Sequence, residues 1–444
     1  MLKNKFIFTT TLLCIFSFFC LCSTALSGKV KKEIMVITVN GVINPVSAEF
    51  IGKNIRKANQ KNAEALVIEL DTPGGLDTSM RNIVKEIIAS GVPVIVYVYP
   101  SGSRDASAGV FITMAAHIAA MAPGTNIGAA HPVGLEGKMD KTMAEKVTND
   151  AAAYIESLAE ARGRNAKWAV DAVRKSISVT EREALKKHVI DLVAKDLNSL
   201  LTHIDGRKVQ TVLGERVLHT KNVVVVRQEM GIRQKILDLI SNPNVAYILM
   251  LLGFYGLFFE LTNPGSLFPG IIGGICLILA FYAFQTLPVN YAGLLLIILA
   301  IILFVLEVKI VSHGILAIGG VIAMVIGSLM LFESAAPFMK LSFYVILPAV
   351  AATTLFFTIT ISLALKAYRR RPSTGPEGLV GVEGIAATPI TKEGGAALLH
   401  GEHWAAISAE PISKGENVVV VSVSGLKVKV RKVNSQAEDG FYAF

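Results

Sequence analysis

Ser107 lies in Ala106-Ser107-Ala108-Gly109, a run of small residues that opens the apolar segment 110–115. A serine at a helix N-terminus sits where free N–H groups and the positive end of the helix dipole favour an oxyanion. Its small neighbours leave room for a substrate chain. A plain N-cap serine would read the same way, so the chemistry turns on partners. One is Asp71-Thr72-Pro73-Gly74-Gly75, which directly follows an apolar run. Two glycines there let the backbone approach a ligand and turn N–H groups toward developing negative charge, although an ordinary strand-to-helix turn has the same composition. The other is a lysine-bearing helix expected over residues 140–162. An uncharged lysine can serve as general base for a serine when burial depresses its pKa, and Lys138, Lys141 and Lys146 are the candidates. Met143, Val147, Tyr154, Ile155 and Leu158 form the apolar face of that helix, with Lys141 and Lys146 at its flanks. Lys146 can also pair with Asp150 at i+4. His117 opens an apolar strand-like run and suits a core or capping role, and His131 follows the 126–128 turn as a turn residue.

These residues need a scaffold, and the surrounding pattern supplies one. Residues 33–39, 65–70 and 92–99 are short apolar runs rich in β-branched side chains. Between them Phe50, Ile51 and Ile55, and then Met80, Ile83, Val84, Ile87 and Ile88, recur at helical spacing. Strand–helix–strand repetition predicts parallel βαβ units with right-handed crossovers. Thr180 and Glu183 form a capping box, 189–194 reads as another buried strand, and 209–226 as a hairpin that closes the domain.

The chain is 52% hydrophobic and 17% charged, against about 25% charged in soluble chains. The deficit is concentrated in residues 245–367. Five spans are expected there, at about 245–261, 267–286, 291–308, 314–332 and 343–366, the first of marginal length. Glu260 and Glu307 fall at predicted span ends, which argues against a transporter. Lys3 and Lys5, an apolar run over 6–22 and Ser23-Thr24-Ala25 describe a secretory signal. The four cysteines all fall in apolar segments and supply neither a disulfide framework nor metal-ligand spacing; no cofactor is expected. Of the net charge of +9, Lys366, Arg369, Arg370 and Arg371 cluster just past the last apolar run, a topology signal rather than a nucleic-acid site. The tail from 372 has Gly-rich turns and short strands at 417–423 and 426–430, which predict a small OB-like barrel. Trp404, Phe441 and Tyr442 are too scattered to stack single-stranded bases.

Taken together, Pro73-Gly74-Gly75, the segment 100–109 ending in Ala-Ser-Ala-Gly, and Met121-Ala122-Pro123-Gly124-Thr125-Asn126-Ile127-Gly128 resemble the NfeD membrane-bound serine proteases, Clp/crotonase-fold peptidases related to signal peptide peptidase A. Glu260-Leu261-Thr262-Asn263-Pro264-Gly265 and Pro288-Val289-Asn290-Tyr291-Ala292-Gly293 extend the likeness into the membrane region. The resemblance implies the long form: a signal peptide (1–27), an exported α/β Clp-like peptidase domain (28–228), a transmembrane helical bundle (240–367) and a cytoplasmic all-β OB-like domain (372–444). It implies a Ser-Lys dyad with Ser107 as nucleophile and the Gly75 and Ala108 N–H groups as oxyanion hole. At a family lysine position this chain has Glu156, so Lys146, ten residues earlier, takes the role of base. Asp105 stands where a small residue is common. Hydrophobic segments of membrane-associated polypeptides are the implied substrate, a stomatin-like membrane protein the implied partner, and a homo-oligomer in the bilayer the expected assembly, with no nucleic acid. The alternative is a non-catalytic scaffold that recruits the stomatin-like partner through the barrel.

The topology can be checked directly. A reporter after Phe444 should be active only in the cytoplasm and one near Gly206 only outside. The opposite result at the C-terminus would mean an even number of spans.

Overall fold

A computed structural model of the chain describes residues 32–134, 140–262, 265, 267–310, 312, 314–334, 337–368 and 376–433. The signal segment, Lys138 and the Arg369–371 cluster lie outside the described residues. Two compact units are present: residues up to 300 with 322–350, and residues 301–321 with those from 351 on.

The first unit begins with an α/β domain. Its elements in order are β1 (Glu33–Asn40), α1 (Pro45–Gln60), β2 (Ala65–Asp71), α2 (Asp77–Ile88), β3 (Val94–Val98), β4 (Arg104–Ala106), α3 (Ala108–Ala115), β5 (Ile118–Met121), β6 (Asn126–Gly128), α4 (Lys141–Ala161), α5 (Ala166–Arg174), β7 (Ser178–Thr180), α6 (Glu181–Lys186), β8 (Leu192–Val193), α7 (Leu197–Ile204), β9 (Lys208–Thr211), β10 (Gly214–Val217) and β11 (Val224–Gln228). Six strands form one sheet in the order β11-β1-β2-β3-β5-β8, every pair parallel. A small sheet, β4-β6-β7, stands beside it. Continuous apolar strands are what a parallel sheet covered on both faces requires, and β3 is buried throughout. Alternation sends Met35 and Ile37 to the core under α1–α5 and Ile34 and Val36 to the core on the other face, with Tyr97 and Leu200. The expected parallel α/β architecture is present.

Two expectations need adjusting. The hairpin is confined to β9 and β10, while β11 runs parallel to β1 at the sheet edge, with Val224 opposite Glu33. The β-branched run 223–226 completes the sheet because β1 would otherwise present an open edge. Only Leu192 and Val193 of the 189–194 segment pair as a strand; Val189 and Ile190 serve as buried packing.

The polar device that holds this core is Arg164, whose side chain is 2% exposed. Its Nη1 donates to the carbonyls of Met114 (2.8 Å), Ala116 (2.9 Å) and Thr113 (3.3 Å). Its Nη2 reaches Asp191 at 2.7 Å. The last carbonyls of a helix lack intrahelical donors and favour a cation, so Arg164 caps the C-terminus of α3. His117 lies beside it, with Nδ1 accepting the Val94 N–H. Burial, then the Arg162 and Arg164 guanidiniums, push the His117 pKa down to about 3. It is a neutral core residue.

After α8 (Ile232–Ile240) come five apolar helices: α9 (Pro243–Thr262), α10 (Leu267–Phe284), α11 (Tyr291–Lys309), α12 (Ile315–Leu331) and α13 (Phe343–Tyr368). Among the described residues, three segments are long and apolar enough to cross a membrane: Pro243–Thr262, Leu267–Phe284 and Phe343–Thr360. The first segment is thus full-length rather than marginal, while Tyr291–Glu307 and Ile315–Leu331 are the shorter apolar helices. Within the first unit, α9 and α10 approach at glycines: a Cβ on Gly256 would lie 2.5 Å from the Pro269 carbonyl. Small residues of this kind let membrane helices pack backbone to backbone.

In the second unit Phe304 and Phe357 stack at 4.9 Å. The Glu307 carboxylate accepts from Ser312 Oγ and from the Gly314 and Ala317 N–H groups, so it caps the start of α12. Five further strands, β12 (Glu383–Ala386), β13 (Ala396–Leu399), β14 (Glu402–Ile407), β15 (Asn417–Ser424) and β16 (Lys427–Lys432), close a barrel in the order β12-β13-β14-β16-β15. Leu399, Val418, Val428 and Val430 fill it.

Arg164→Met should destabilise the α/β domain by about 3–5 kcal/mol, the range for breaking a buried pair, because three carbonyls lose their donor. Chemical denaturation followed by tryptophan fluorescence would show it; a change under 1 kcal/mol would mean that α3 does not depend on this cap.

Candidate active site

Ser107 is the N-cap of α3, with φ 55° and ψ −112°. Positive φ at a residue with a side chain costs on the order of 1–3 kcal/mol, so its surroundings must impose it. Ser107 N–H donates to the Gly128 carbonyl (3.2 Å), and its own carbonyl accepts from Val110 (3.1 Å). The preceding strand is stitched to the end of β2: Thr72 N–H donates to Arg104 (2.8 Å) and Ala106 N–H to Thr72 (3.1 Å). On the other side β4 pairs with β6. The serine is therefore gripped between the 72–75 turn and the 126–128 strand, the two segments that flank it in the sequence motif. Its hydroxyl makes no capping bond to the helix, which leaves it available.

The glycine turn reaches the serine closely. Gly74 has φ 122°, and a Cβ there would lie 2.7 Å from Ser107 Cβ and 3.2 Å from its Oγ. Gly75 forms a parallel bridge with Ile43, in which Ile43 N–H donates to Gly74 and Leu76 N–H donates to Ile43. In such a bridge the central residue's own N–H points away from its partner, so Gly75 N–H is free of Ile43. A Cβ on Gly75 would lie 2.1 Å from the Ile43 carbonyl; only glycine fits. Ala108 is the first residue of α3, where N–H groups have no intrahelical acceptor. Ser107, Gly75 and Ala108 all line one cleft of about 530 Å³.

Its other walls are mostly apolar: Met80, Phe111, Ala130, Val133, Met143 and Val147. Lys146 lines the cleft too and is exposed. Lys141 and Glu156 are exposed and outside the lining. His131 is held by the Val173 carbonyl at 2.9 Å, a turn role. Asp150 pairs not with Lys146 but with Arg81, at 2.5 Å. Arg81 also holds Asp77 (2.9 Å) and lies 4.5 Å from the centroid of the Tyr154 ring. This pairing gives the cleft a charged rim and leaves Lys146 without Asp150. Sequence reading missed Arg81, although its i+4 spacing from Asp77 was a signal.

Beneath the serine lies Asp105, fully buried. Oδ2 accepts from Thr113 Oγ1 at 2.7 Å and Oδ1 has no partner. Burial, opposed only by that hydrogen bond, pushes its pKa up to about 7. A Cβ on Gly109 would lie 1.9 Å from Oδ1, so the glycine after Ala108 makes room for the carboxyl.

A half-exposed serine on a strained turn beside two free N–H groups, on a parallel α/β domain joined to apolar helices, defines a membrane-tethered peptidase class. Residues 33–211 match the family described as NfeD1b, N-terminal domain; 244–362 match the NfeD integral membrane domain; 376–432 match the NfeD-like C-terminal, partner-binding domain. The chain is 37% identical over 423 residues to a membrane-bound protease of Pyrococcus horikoshii, covering 92% of this chain and 95% of the relative. It is 27% identical over 429 residues to the membrane protein NfeD1b of Bacillus subtilis, with 92% and 95% covered. A solved structure of the 1510-N membrane protease specific for a stomatin homolog from Pyrococcus horikoshii is 39% identical, with 48% of this chain and 99% of that one covered and a TM-score of 0.42. The chain belongs to the NfeD family, in its long form, and is a membrane protein.

Asp105 predicts a pH dependence. Its ordinary pKa is 3.8 and its folded value about 7, so between these values the folded chain keeps a proton that the unfolded chain releases. Its contribution to stability is present at low pH and lost as pH rises through 7. The stability of Asp105→Asn relative to wild type should therefore rise by about 3 kcal/mol from pH 5 to pH 8, read from denaturation midpoints at each pH. A pH-independent difference would place an ionised carboxylate beneath the serine.

Proposed function

We propose that the chain is a membrane-anchored serine endopeptidase that cleaves apolar segments of membrane-associated polypeptides. The observation that carries this reading is the placement of Ser107 on a positive-φ turn, its hydroxyl uncapped, within a cleft that also holds Gly75 and Ala108. Ser107 Oγ attacks the scissile carbonyl and gives its proton to the Lys146 amine. The carbonyl oxygen becomes the tetrahedral oxyanion, taken up by the Gly75 and Ala108 N–H groups; removing one such donor typically costs on the order of 10²–10³ in kcat. The ammonium returns the proton to the leaving amine, and a water molecule, activated by the same lysine, hydrolyses the acyl-serine. The apolar walls suit hydrophobic side chains, and the adjacent membrane helices would bring such segments to the cleft.

A Ser-Lys dyad needs its lysine desolvated. Lys146 is exposed in a single chain, and a neighbouring copy in a homo-oligomer would supply the missing cover. The same exposure, with Glu156 at the family lysine position, favours the second reading, a non-catalytic scaffold. In either case the barrel, which matches a partner-binding domain, recruits a stomatin-like membrane protein from the cytoplasmic side, and the α/β domain stands outside the cell membrane.

Ser107→Ala should abolish peptide cleavage and labelling by a serine-directed phosphonate while the fold persists. Nucleophile loss costs about 10⁶ in turnover in a well-studied serine protease. Lys146→Ala should lose activity as fully, whereas Lys141→Ala and Glu156→Ala keep most of it. Wild-type cleavage by Ser107→Ala would overturn the nucleophile. An active Lys146→Ala would overturn the base. A wild-type chain that neither labels nor cleaves would leave the scaffold.

A further inference from the structure

Phe338 belongs to the turn between α12 and α13, in the membrane region, yet it lines the catalytic cleft together with Ser107 and Gly75. Its Cε1 lies 3.5 Å from the point where a Gly74 Cβ would be, and Ser107 Oγ lies 3.2 Å from that same point. The turn is anchored just beyond Phe338. Met339 and Leu341 are buried, and Ser342 N–H donates to Asn244 Oδ1 at 2.9 Å, tying the segment to the start of α9. Phe338 also lines a neighbouring cavity of about 250 Å³ with Asn44, Asp238 and Leu287. All of these residues lie within the first unit.

The space beside Ser107 Oγ is where the substrate residue that supplies the scissile carbonyl must place its side chain, because its carbonyl carbon bonds to that oxygen. Apart from Ser107 itself, the side chain nearest the Gly74 position is that of Phe338. We infer that Phe338, donated by the membrane region, is the wall of this subsite and sets the size of the apolar residue accepted next to the cleaved bond. This rests on the peptidase reading above. Substrate selection is then a joint property of the exported domain and the membrane helices: small apolar residues fit beside the ring, and bulky aromatic ones are excluded by it.

The test uses the full chain in detergent micelles and peptides cut at one mapped bond, varied only in the residue supplying the carbonyl. Phe338→Ala should raise kcat/KM for the phenylalanine peptide relative to the alanine peptide by about tenfold or more, the scale of size discrimination by an apolar pocket. Phe338→Leu should fall between it and wild type. Phosphonate labelling of Ser107 in each variant reports an intact nucleophile. Wild-type enzyme that neither labels nor cleaves defeats the peptidase reading itself. Wild-type enzyme that cleaves, with ratios unchanged within twofold in labelled Phe338→Ala and Phe338→Leu, overturns the role of Phe338 alone. Failure of Phe338→Leu to label would also overturn it, since a wall residue is not needed to hold the serine.

Discussion

The structure of the α/β domain is organised around one unfavourable backbone conformation, the positive φ of Ser107. A serine left to itself would cap α3 with its hydroxyl and relax into the extended region, as N-cap residues do. Here the backbone on both sides is already committed. Thr72 and Gly128 take the hydrogen bonds of residues 104–107, and those two positions hang from the ends of β2 and β6. The parallel sheet thus determines where the turn must be, and the strain presents the hydroxyl to the cleft instead of to the helix.

That arrangement explains which small residues the motifs require. Gly74 and Gly75 are not interchangeable with alanine, because one approaches the serine and the other the Ile43 carbonyl. Gly109 makes room for the Asp105 carboxyl. Burying an acid beneath Ser107 is costly when it is charged; burial pushes the Asp105 pKa up to about 7, and its Oδ2 accepts from Thr113. Arg164 fastens the opposite end of α3. The short helix that carries the serine is consequently held at both ends by buried polar groups, while its apolar flank packs into the main core.

The membrane region contributes to the same cleft. Glycines at the α9–α10 crossing bring the helices close, and the turn after α12 projects Phe338 toward the serine. The cleft is lined largely by methionine, valine and phenylalanine, with the exposed Lys146 among its walls. Its charged groups, Arg81, Asp77 and Asp150, neutralise one another at the edge and do not enter the floor.

Much of this was legible in the sequence, and for definite reasons. Period-2 and period-3.6 patterns located the βαβ units, since each strand and helix must bury its own apolar face. The membrane helices were visible as stretches without charge, the barrel as short strands between glycine turns, and Ser107 as a serine among small residues. The chain alone could not say which lysine lines the cleft, because that depends on how α4 rotates over α3. The local i+4 rule offered Asp150 to Lys146, but α2 brought Arg81 to Asp150 from 69 residues away. Nor could it say that 224–228 pairs with β1 rather than closing a hairpin, or that Phe338 stands beside a serine 231 positions earlier. Local patterns are set by the few residues in each turn or strand, whereas the occupancy of a cleft is set by long-range packing, which no short window of sequence contains.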